Sequence, residues 1–352
     1  MAKKKILVAA LNWGLGHATR SIPIIKELEE NHFEVLLASD GVALELLNKE
    51  FPYLPSFKLP SYNISYSRTA AFFSLKMLTQ TSHILKTIAE ENRITTALID
   101  DYKIDGIISD NRWGVYSKKI PSVFITHQLN VLSGATSPIS SKIQQKYIEN
   151  YDECWVPDTE GNSNLSGKLG HLKTSKLNIK YLGIISRVKH QKLEKTTDIF
   201  IILSGPEPQR SILEDKLLKE CKAYDGNVVI VRGIIEKEQK IDKIGNITIY
   251  NFMQSAELES FLNSSKLVIS RSGYTTILDL AKLGKKAFFI PTPGQPEQEY
   301  LAKRLKKLKL ANSCAQKDFS LEMLKNNEDY RGLIGFDCSD EFSSFFTLFK
   351  GE

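Results

Sequence analysis

Residues 267–299 read LVISRSGYTTILDLAKLGKKAFFIPTPGQPEQE, and this stretch predicts the fold of the chain around it. The apolar run at 267–269 turns sharply at 270–273, and apolar residues at helical spacing follow over 274–281. After a glycine-lysine break, residues 287–290 form a second apolar run, which is typical of a buried strand. A helix that starts with Ser, Gly and two Thr behind a strand presents backbone N–H groups to an anion. This βαβ unit therefore predicts a binding turn for a phosphorylated ligand.

Strands and helices alternate along the rest of the chain as well. In the first half, apolar runs predict strands at 5–11, 33–38, 105–109 and 122–126, and amphipathic patterns predict helices at 18–30, 42–47 and 72–103. A second series has predicted strands at 198–203, 228–231 and 247–250 and predicted helices at 211–223 and 256–262. This alternation indicates an α/β protein with doubly wound parallel sheets.

The length of 352 residues exceeds what one hydrophobic core usually serves. We expect a first Rossmann-like domain over 1–185 and a second over 186–335, joined through a polar linker at 187–195. A C-terminal helix over 336–352 is expected to pack back on the first domain. Two such domains would face each other across a cleft lined by their carboxyl-edge loops, where such sheets bind ligands.

The composition is that of an ordinary soluble globular protein, with 42% apolar and 25% charged residues. The 47 Lys and Arg against 41 Asp and Glu leave a mildly cationic surface, which does not distinguish an anionic small molecule from a phospholipid surface or nucleic acid. The four cysteines form no Cys-x-x-Cys pair, so a reduced cytosol fits best. No apolar run approaches the roughly 20 residues that span a bilayer, and residues 6–10 resemble a first strand more than a signal peptide. The predicted location is cytoplasmic, at most on a membrane surface.

The first glycine turn, Gly14-Leu15-Gly16-His17, lies between the first strand and the first helix. Its glycines let a ligand approach the backbone, and His17 can serve as a general base. The alternative is a tight turn whose histidine only caps the helix. Thr19 and Arg20 stand where a dinucleotide fingerprint needs a third glycine, which disfavours a nicotinamide cofactor.

Asp110 follows a predicted strand directly, so it should emerge at the same sheet edge as His17. A carboxylate there can orient the imidazole and stabilise its protonated form. An N-cap for a helix starting at Trp113 is an equal alternative. His127 ends another strand and competes with His17 as the base, although a buried histidine with a satisfied hydrogen bond is the commoner case.

The first loop of the second domain contains Ser204, Gly205 and Arg210. Ser204 and Gly205 can offer a hydroxyl and N–H groups, and Arg210 a bidentate fork to a diphosphate. An ordinary strand-to-helix turn is the alternative. This loop and the turn at 270–276 are predicted at the same sheet edge. Two anion-binding turns there indicate a phosphorylated ligand more strongly than either turn alone.

Two further clusters have plain structural interpretations. The basic cluster indicates a solvated helix face, and the phenylalanine stripe indicates core packing; together they could also rest on an anionic membrane. The clusters comprise Lys303, Arg304, Lys306, Lys307 and Lys309, and Phe342, Phe345, Phe346 and Phe349. No zinc or iron motif is present in the sequence, and no Asp-x-Asp pair beside a strand.

The stretch 270–279, with Gly284, Pro291 and Gln298-Glu299 after it, resembles the donor-binding region of GT-B glycosyltransferases, above all those of family 28. The likeness covers both domains in order. The whole chain is also similar to a group of glycosyltransferase-like proteins that bear Gly-Leu-Gly-His-Ala-Thr-Arg.

The resemblance implies a role for each residue that matches the family pattern. Ser272 and Thr276 would bind the diphosphate, Asp279 the ribose, and Gln298 with Glu299 the sugar, while His17 would be the base and Asp110 its orienting acid. The donor-binding set that it implies comprises Gly14, Gly16, Ser204, Gly205, Arg210, Phe252, Met253, Arg271, Ser272, Gly273, Thr275, Thr276, Asp279, Gln298 and Glu299, with Phe252 or Met253 at the uracil. Two residues depart from the family pattern. Asp279 stands where the family usually has Glu, and its side chain is one methylene shorter, which bears on the ribose contact. Glu299 stands where a second Gln is common, which bears on the identity of the sugar.

We therefore predict a metal-independent, inverting glycosyltransferase of cell-envelope polysaccharide or glycolipid synthesis. It would need no cofactor beyond the UDP-sugar co-substrate, and it would bind no nucleic acid. A nucleotide-sugar hydrolase of the same fold is the first alternative, and a non-catalytic nucleotide-sugar-binding protein is the second. The sequence does not identify the acceptor. The region 62–73 and the neighbouring loops of the first domain should contact it, but they follow no recognisable pattern.

Overall fold

The first sheet contains seven strands in the part of the chain described by a computed structural model, namely residues 3–63, 70–336 and 343–350. Its strands are β1 (Lys5–Ala10), β2 (Glu34–Ser39), β3 (Ser56–Lys58), β4 (Gly106–Asp110), β5 (Ser122–Ile125), β6 (Glu153–Val156) and β7 (Ile179–Tyr181). Their order is β3-β2-β1-β4-β5-β6-β7, and all pairs are parallel. Apart from the first residues of β1 and β2, every residue of β1, β2 and β4 is buried, as expected for a parallel sheet covered on both faces.

The strand order of this sheet reverses between β1 and β4. The chain continues from β1 to β2 on one side and later returns to β4 on the other side of β1. Ala10, the last residue of β1, pairs with Asp110, the last residue of β4. Ligands of open α/β sheets bind outside the carboxyl ends of the strands at such a reversal, so the segments after β1 and β4 are the first place to look for a site.

The second sheet also has seven strands within the described ranges: β8 (Thr197–Ile202), β9 (Val228–Val231), β10 (Ile241–Ile244), β11 (Ile247–Tyr250), β12 (Ser265–Ser270), β13 (Ala287–Phe289) and β14 (Asn312–Ser313). Their order is β10-β11-β9-β8-β12-β13-β14. This sheet is parallel except at one edge, where β10 pairs with β11 antiparallel. The two-residue Gly245-Asn246 turn, with φ +60° at Gly245, can join only antiparallel neighbours.

The helices cover these sheets in chain order. They are α1 (Gly16–Glu30), α2 (Gly41–Glu50), α3 (Ala70–Tyr102), α4 (Ser137–Ile148), α5 (Gln209–Cys221), α6 (Ser255–Ser264), α7 (Tyr274–Lys282), α8 (Pro296–Lys307) and α9 (Thr347–Lys350). The two-sheet α/β class predicted from the sequence is confirmed. No strand was predicted at β6, β7, β10 or β14 and no helix at α4; β7 and β14 have only three and two residues, too few for a periodic pattern.

The described chain divides into two compact units. One comprises Met1–Ile185 with Asp337–Glu352, and the other Ser186–Phe336. The proposed linker residues have neither helix nor strand, but they are attached to the second unit: the backbone N–H of Lys189 donates to Glu259 and that of Gln191 to Asn263. This segment is therefore a strap along α6.

The C-terminal phenylalanines belong to the core of the first unit. Phe346 and Phe349 are 0% and 1% exposed, and their rings contact Phe33 and Trp155. The core-packing interpretation is confirmed for these two residues, which removes them from the membrane-facing surface considered above. Phe342 lies outside the described residues.

Across the described ranges, no helix combines the length and the apolar character that crossing a bilayer requires. Residues 64–69 of the region expected to contact the acceptor lie outside the described chain.

Candidate active site

The loop between β1 and α1 carries the first predicted site residues. Gly14 has a φ of +74°, a left-handed conformation that glycine adopts at little cost. The turn leads directly into α1, so that Gly16 is the first residue of the helix and His17 the second. Leu15 is the N-cap residue, and no side chain caps the helix. The interpretation of His17 as a helix cap is therefore wrong.

His17 and Asp110 meet at the carboxyl edge of the first sheet. The Nδ1 atom of His17 lies 2.7 Å from Oδ1 of Asp110. The Asp110 side chain is buried, whereas that of His17 keeps 14% of its surface exposed. Residues 111–117 form no helix, so the N-cap interpretation of Asp110 is wrong. The structure brings the two residues together, and their catalytic roles stay a prediction.

Arg20 completes this pair, and the sequence analysis missed it. Its Nε donates to Oδ2 of Asp110 at 2.8 Å, and its Nη2 donates to Oδ1. Burial opposes the ionisation of Asp110, but Arg20 and His17 outweigh it and hold the pKa of the carboxyl at about 2. Arg20 lies three residues after His17 in α1, on the same helix face, and this spacing is the signal that could have identified it.

The hydrogen bonds determine the tautomer of His17. Because Asp110 is ionised, it can only accept, so the Nδ1 atom of His17 carries the proton. Nη2 of Arg20 lies 3.0 Å from the same Nδ1, but both are donors, and both are directed at Oδ1 of Asp110. The lone pair of the neutral imidazole is therefore on Nε2, the arrangement of a general base.

His127, the competing candidate, has the opposite tautomer. It follows β5 and is 6% exposed, and its Nδ1 lies 2.9 Å from Nη1 of Arg20. A guanidinium can only donate, so Nδ1 of His127 accepts and its ring proton is on Nε2. Its lone pair is occupied by a buried cation. This geometry favours His17 over His127 as the base.

A second buried cation braces the same sheet edge. The Arg112 guanidinium is fully buried between Asp40, which follows β2, and Glu91 of α3, at 2.9 and 2.8 Å. Burial raises the pKa of the Glu91 carboxyl, against the opposing effect of Arg112. Glu91 also accepts a 2.5 Å hydrogen bond from the hydroxyl of Tyr62. Arg112 thus fixes the loops that surround the His17–Asp110 pair.

In the second unit, the predicted anion-binding turn connects β12 to α7. Gly273 is the N-cap of α7 and supplies no side-chain cap, while Thr275 and Thr276 lie in its first turn. Ser272 is completely buried, and its hydroxyl donates to the carbonyl of Gln298 at 2.7 Å. The hydroxyl proton is thus committed to the protein, and the oxygen keeps lone pairs.

Arg271 holds the turn between β12 and α7 in place through hydrogen bonds to backbone carbonyls. It is 1% exposed and donates to the carbonyls of Ile290 and Pro291, after β13, and of Gln209, at the start of α5. Burial lowers the pKa of its guanidinium to about 10. The resemblance implied a donor ligand here, but in the structure Arg271 is a clamp that joins three loops.

Gln298 and Glu299, expected at the sugar, shape the loop before α8. Oε1 of Gln298 accepts from the backbone N–H of Thr292 at 2.8 Å, and Oε1 of Glu299 accepts from that of Gly294 at 3.0 Å. Both side chains lie at the carboxyl edge of β13. Their sugar contacts stay a prediction.

Arg210 does not present the empty fork that the sequence suggested. It is 9% exposed, and its guanidinium is bound by Glu207 and Glu214, the latter at 2.7 Å from Nη1. Glu214 also binds Arg232. Two carboxylates already neutralise Arg210, so a diphosphate would have to displace Glu207. Ser204, which is partly buried, and Gly205, which is exposed, lie at the start of the same loop.

Asp279, expected at the ribose, is 5% exposed and accepts a 2.5 Å hydrogen bond from Ser186. Burial raises the pKa of its carboxyl, against the opposing effect of Arg187 at 3.7 Å. In the structure the Asp279 side chain attaches Ser186 and the start of the strap at Arg187 to α7. A ribose hydroxyl at Asp279 would compete with the hydrogen bond from Ser186. Phe252 and Met253, expected at the uracil, follow β11 and are both 5% exposed.

Metal ligands are not grouped in the described part of the chain: no three His, Cys, Asp or Glu side chains there are placed to hold a metal ion.

Comparison with known proteins shows which family part of the chain resembles. Residues 209–329 match the family described as glycosyltransferase family 28 C-terminal domain. The UDP-N-acetylglucosamine–N-acetylmuramyl-(pentapeptide) pyrophosphoryl-undecaprenol N-acetylglucosamine transferase of Clostridium perfringens is 25% identical over 308 residues, which is 83% of this chain and 79% of that protein.

Solved structures share the fold. MurG of Acinetobacter baumannii superposes with a TM-score of 0.52 at 15% identity, over 99% of this chain and 93% of that one. The glycosyltransferase SnogD from Streptomyces nogalater gives 0.62 at 14% identity, over 94% and 92%. At these identities the likeness shows the GT-B fold alone.

Proposed function

We propose that the chain is a glycosyltransferase of the family 28 type with the GT-B fold, and that it transfers a sugar from UDP to an acceptor hydroxyl with inversion. The name of the Clostridium relative supports a UDP-N-acetylglucosamine-type donor. It also supports a lipid-linked acceptor, which would bring the enzyme to a membrane surface. The observation that carries the catalytic part of the proposal is the 2.7 Å contact between His17 and the ionised Asp110.

His17 would remove the proton of the acceptor hydroxyl through Nε2. As the imidazole becomes positive, the Asp110 carboxylate at Nδ1 stabilises it, because the carboxylate stays ionised. Arg20 holds that carboxylate through two donors and so keeps the ring orientation. A positioned general base contributes typically about 10²- to 10⁴-fold to a rate.

The second unit would hold the donor. A diphosphate at the start of α7 would meet the backbone N–H groups of the first turn and the Thr276 side chain, with the helix dipole behind them. Ser272 would join the diphosphate only after its hydroxyl left the Gln298 carbonyl. The negative charge that develops on the leaving diphosphate would be stabilised there. Metal independence belongs to this proposal. Arg210 would join the diphosphate only after it exchanged Glu207.

Variants of the two histidines can separate sugar transfer from donor binding, because turnover and UDP affinity should respond differently to the loss of the base. We expect His17→Asn to lower turnover by at least about a hundredfold and to leave UDP affinity unchanged, because His17 belongs to the first unit and the donor to the second. His127→Asn is the matched control; the Asn oxygen can still accept from Arg20, so turnover should stay within about tenfold of the wild type. UDP release with and without lipid-linked acceptors, and with and without a chelator, is the measurement.

The alternatives predict different results. Undiminished turnover of His17→Asn would remove His17 as the base, and loss of turnover only in His127→Asn would exchange the two roles. Release of free sugar at full rate without an acceptor would indicate a hydrolase. Inhibition by the chelator would contradict metal independence.

A further inference from the structure

A buried hydroxyl in the second unit has no hydrogen-bond partner. Thr292 is 4% exposed, and its Oγ1 is one of the few buried side-chain atoms without a partner in the described chain. The backbone of the same residue is fully engaged: its N–H donates to Gln298 at 2.8 Å, and its carbonyl accepts from Gln295 at 3.1 Å. The hydroxyl is thus held in place by its own main chain. An unsatisfied buried polar group is unfavourable and calls for an explanation.

Thr292 is linked to the predicted anion-binding turn through Gln298, whose side chain accepts from the N–H of Thr292 and whose backbone carbonyl accepts from the Ser272 hydroxyl. It follows β13, and a Cβ atom placed on Gly205, which follows β8, would lie 3.4 Å from its Oγ1. In the sheet, β12 lies between β8 and β13, and the turn after β12 carries Ser272. Thr292 therefore lies in a loop that neighbours the turn before α7.

Gly205 places no side chain beside this hydroxyl. It is exposed and has a φ of +100°, so that any other residue would be strained there and would also place a methyl group against Oγ1. The surrounding loops are held by Arg271, which donates to the carbonyls of Ile290 and Pro291 just before Thr292. A fixed, unpartnered donor next to an exposed glycine suits a ligand oxygen better than a rearrangement of the protein.

We propose that Thr292 donates a hydrogen bond to a phosphate oxygen of the nucleoside diphosphate. Phosphate fits because the adjoining N-terminus of α7 favours negative charge. This assignment rests on the function proposed above and adds a residue that the family resemblance did not identify. Gly205 has the complementary role of keeping the approach open.

The test compares UDP and uridine binding to the full chain by calorimetry. Thr292→Val keeps the shape and removes the hydroxyl, and we expect it to weaken UDP binding about tenfold or more and leave uridine binding unchanged. Thr292→Ser should restore UDP affinity to within about threefold of the wild type. The matched control is Thr95→Val in the first unit, because Thr95 Oγ1 is also buried without a partner; its UDP affinity should equal that of the wild type.

Each other outcome overturns the assignment in a distinguishable way. UDP binding by Thr292→Val that equals that of the wild type would leave the hydroxyl without a ligand. Equal losses for UDP and uridine would indicate damage to the whole site, and a loss seen only with a UDP-sugar would move the contact to the sugar. A wild-type chain that binds no UDP would overturn the proposed function itself.

Discussion

Asp110 shows how a buried charge is kept ionised in this protein. Taking a carboxylate out of water is costly, and only a well-placed partner offsets that cost. Arg20 supplies two donors and His17 a third, and the pKa of the carboxyl falls to about 2. A neutral Asp110 would lose its hold on both residues, so the ionised form is the one on which the proposed mechanism depends.

The low pKa of Asp110 predicts a window of acid sensitivity. The folded-state pKa lies below the ordinary value of 3.8, so its stabilisation is complete above about pH 4 and is lost as the pH falls toward 2. We expect the difference in unfolding free energy between the wild type and Asp110→Asn to shrink by about 2 kcal/mol between pH 5 and 2. All three tryptophans, Trp13, Trp113 and Trp155, belong to the first unit, so their fluorescence in urea reports its unfolding.

Asp101 of α3, which is exposed and belongs to the first unit, provides a control for this measurement. The wild type and Asp101→Asn should show parallel pH profiles. A constant difference between the wild type and Asp110→Asn across the same range would contradict the low pKa of Asp110.

At the scale of secondary-structure elements, the turn between α7 and β13 contains a buried lysine, Lys285. Lys285 is 7% exposed, and its amine donates to two backbone carbonyls, those of Ser265 at 2.6 Å and Asn263 at 3.3 Å. Lys195 donates to the carbonyl of Asn263, which the Lys285 amine also approaches. Burial, reinforced by Lys195, lowers the pKa of the Lys285 amine to about 7.

Lys285 predicts that the second unit gains stability in mild alkali. Between about pH 7 and 10 the unfolded chain binds a proton that the folded chain does not, so the unfolding free energy rises with pH. We expect Lys285→Met to remove about 2–3 kcal/mol of this rise between pH 7 and 9. Scanning calorimetry of the second unit in the full chain measures it.

The neighbouring Lys286 is exposed and gives a matched control. Lys286→Met should keep the wild-type pH dependence. If Lys285→Met and the wild type rose in parallel, Lys285 would be an ordinary charged lysine.

At the scale of the whole molecule, the chain returns to its first unit at the end. Phe346 and Phe349 pack on Phe33 and Trp155, more than 180 residues earlier in the sequence, and Lys4 donates to the carbonyl of Phe349 at 2.8 Å. The first unit is therefore complete only when the C-terminal segment is in place.

Truncation of these rings should destabilise the first unit specifically. We expect Phe346→Ala to lower its unfolding free energy by about 3–5 kcal/mol, because the ring is fully buried and leaves a cavity. Thr347→Ala, at an exposed position beside it, should change the value by less than about 1 kcal/mol. Tryptophan fluorescence reports the result, and equal stabilities of the two variants would show that the C-terminal segment is dispensable.

The amino-acid sequence by itself determined the two α/β series and the edge at which the candidate sites lie. Apolar runs of strand length separated by amphipathic stretches report burial and periodicity, which depend on local sequence. A residue that directly follows a parallel strand must emerge at its carboxyl edge. For this reason His17, Asp110 and the turn at Ser272 could be located without a structure.

Only the tertiary structure decided which of these side chains are partners. Arg20 reaches Asp110 because β1 pairs with β4 in the register that places Ala10 opposite Asp110, and no local pattern specifies that register. Arg210 is bound by two carboxylates, although its loop predicted a diphosphate ligand, and Arg271 is bound by carbonyls, although the family resemblance implied a donor contact. Periodicity shows that a side chain is buried, but its partner depends on contacts between segments far apart in the chain, and these form only when the sheets assemble.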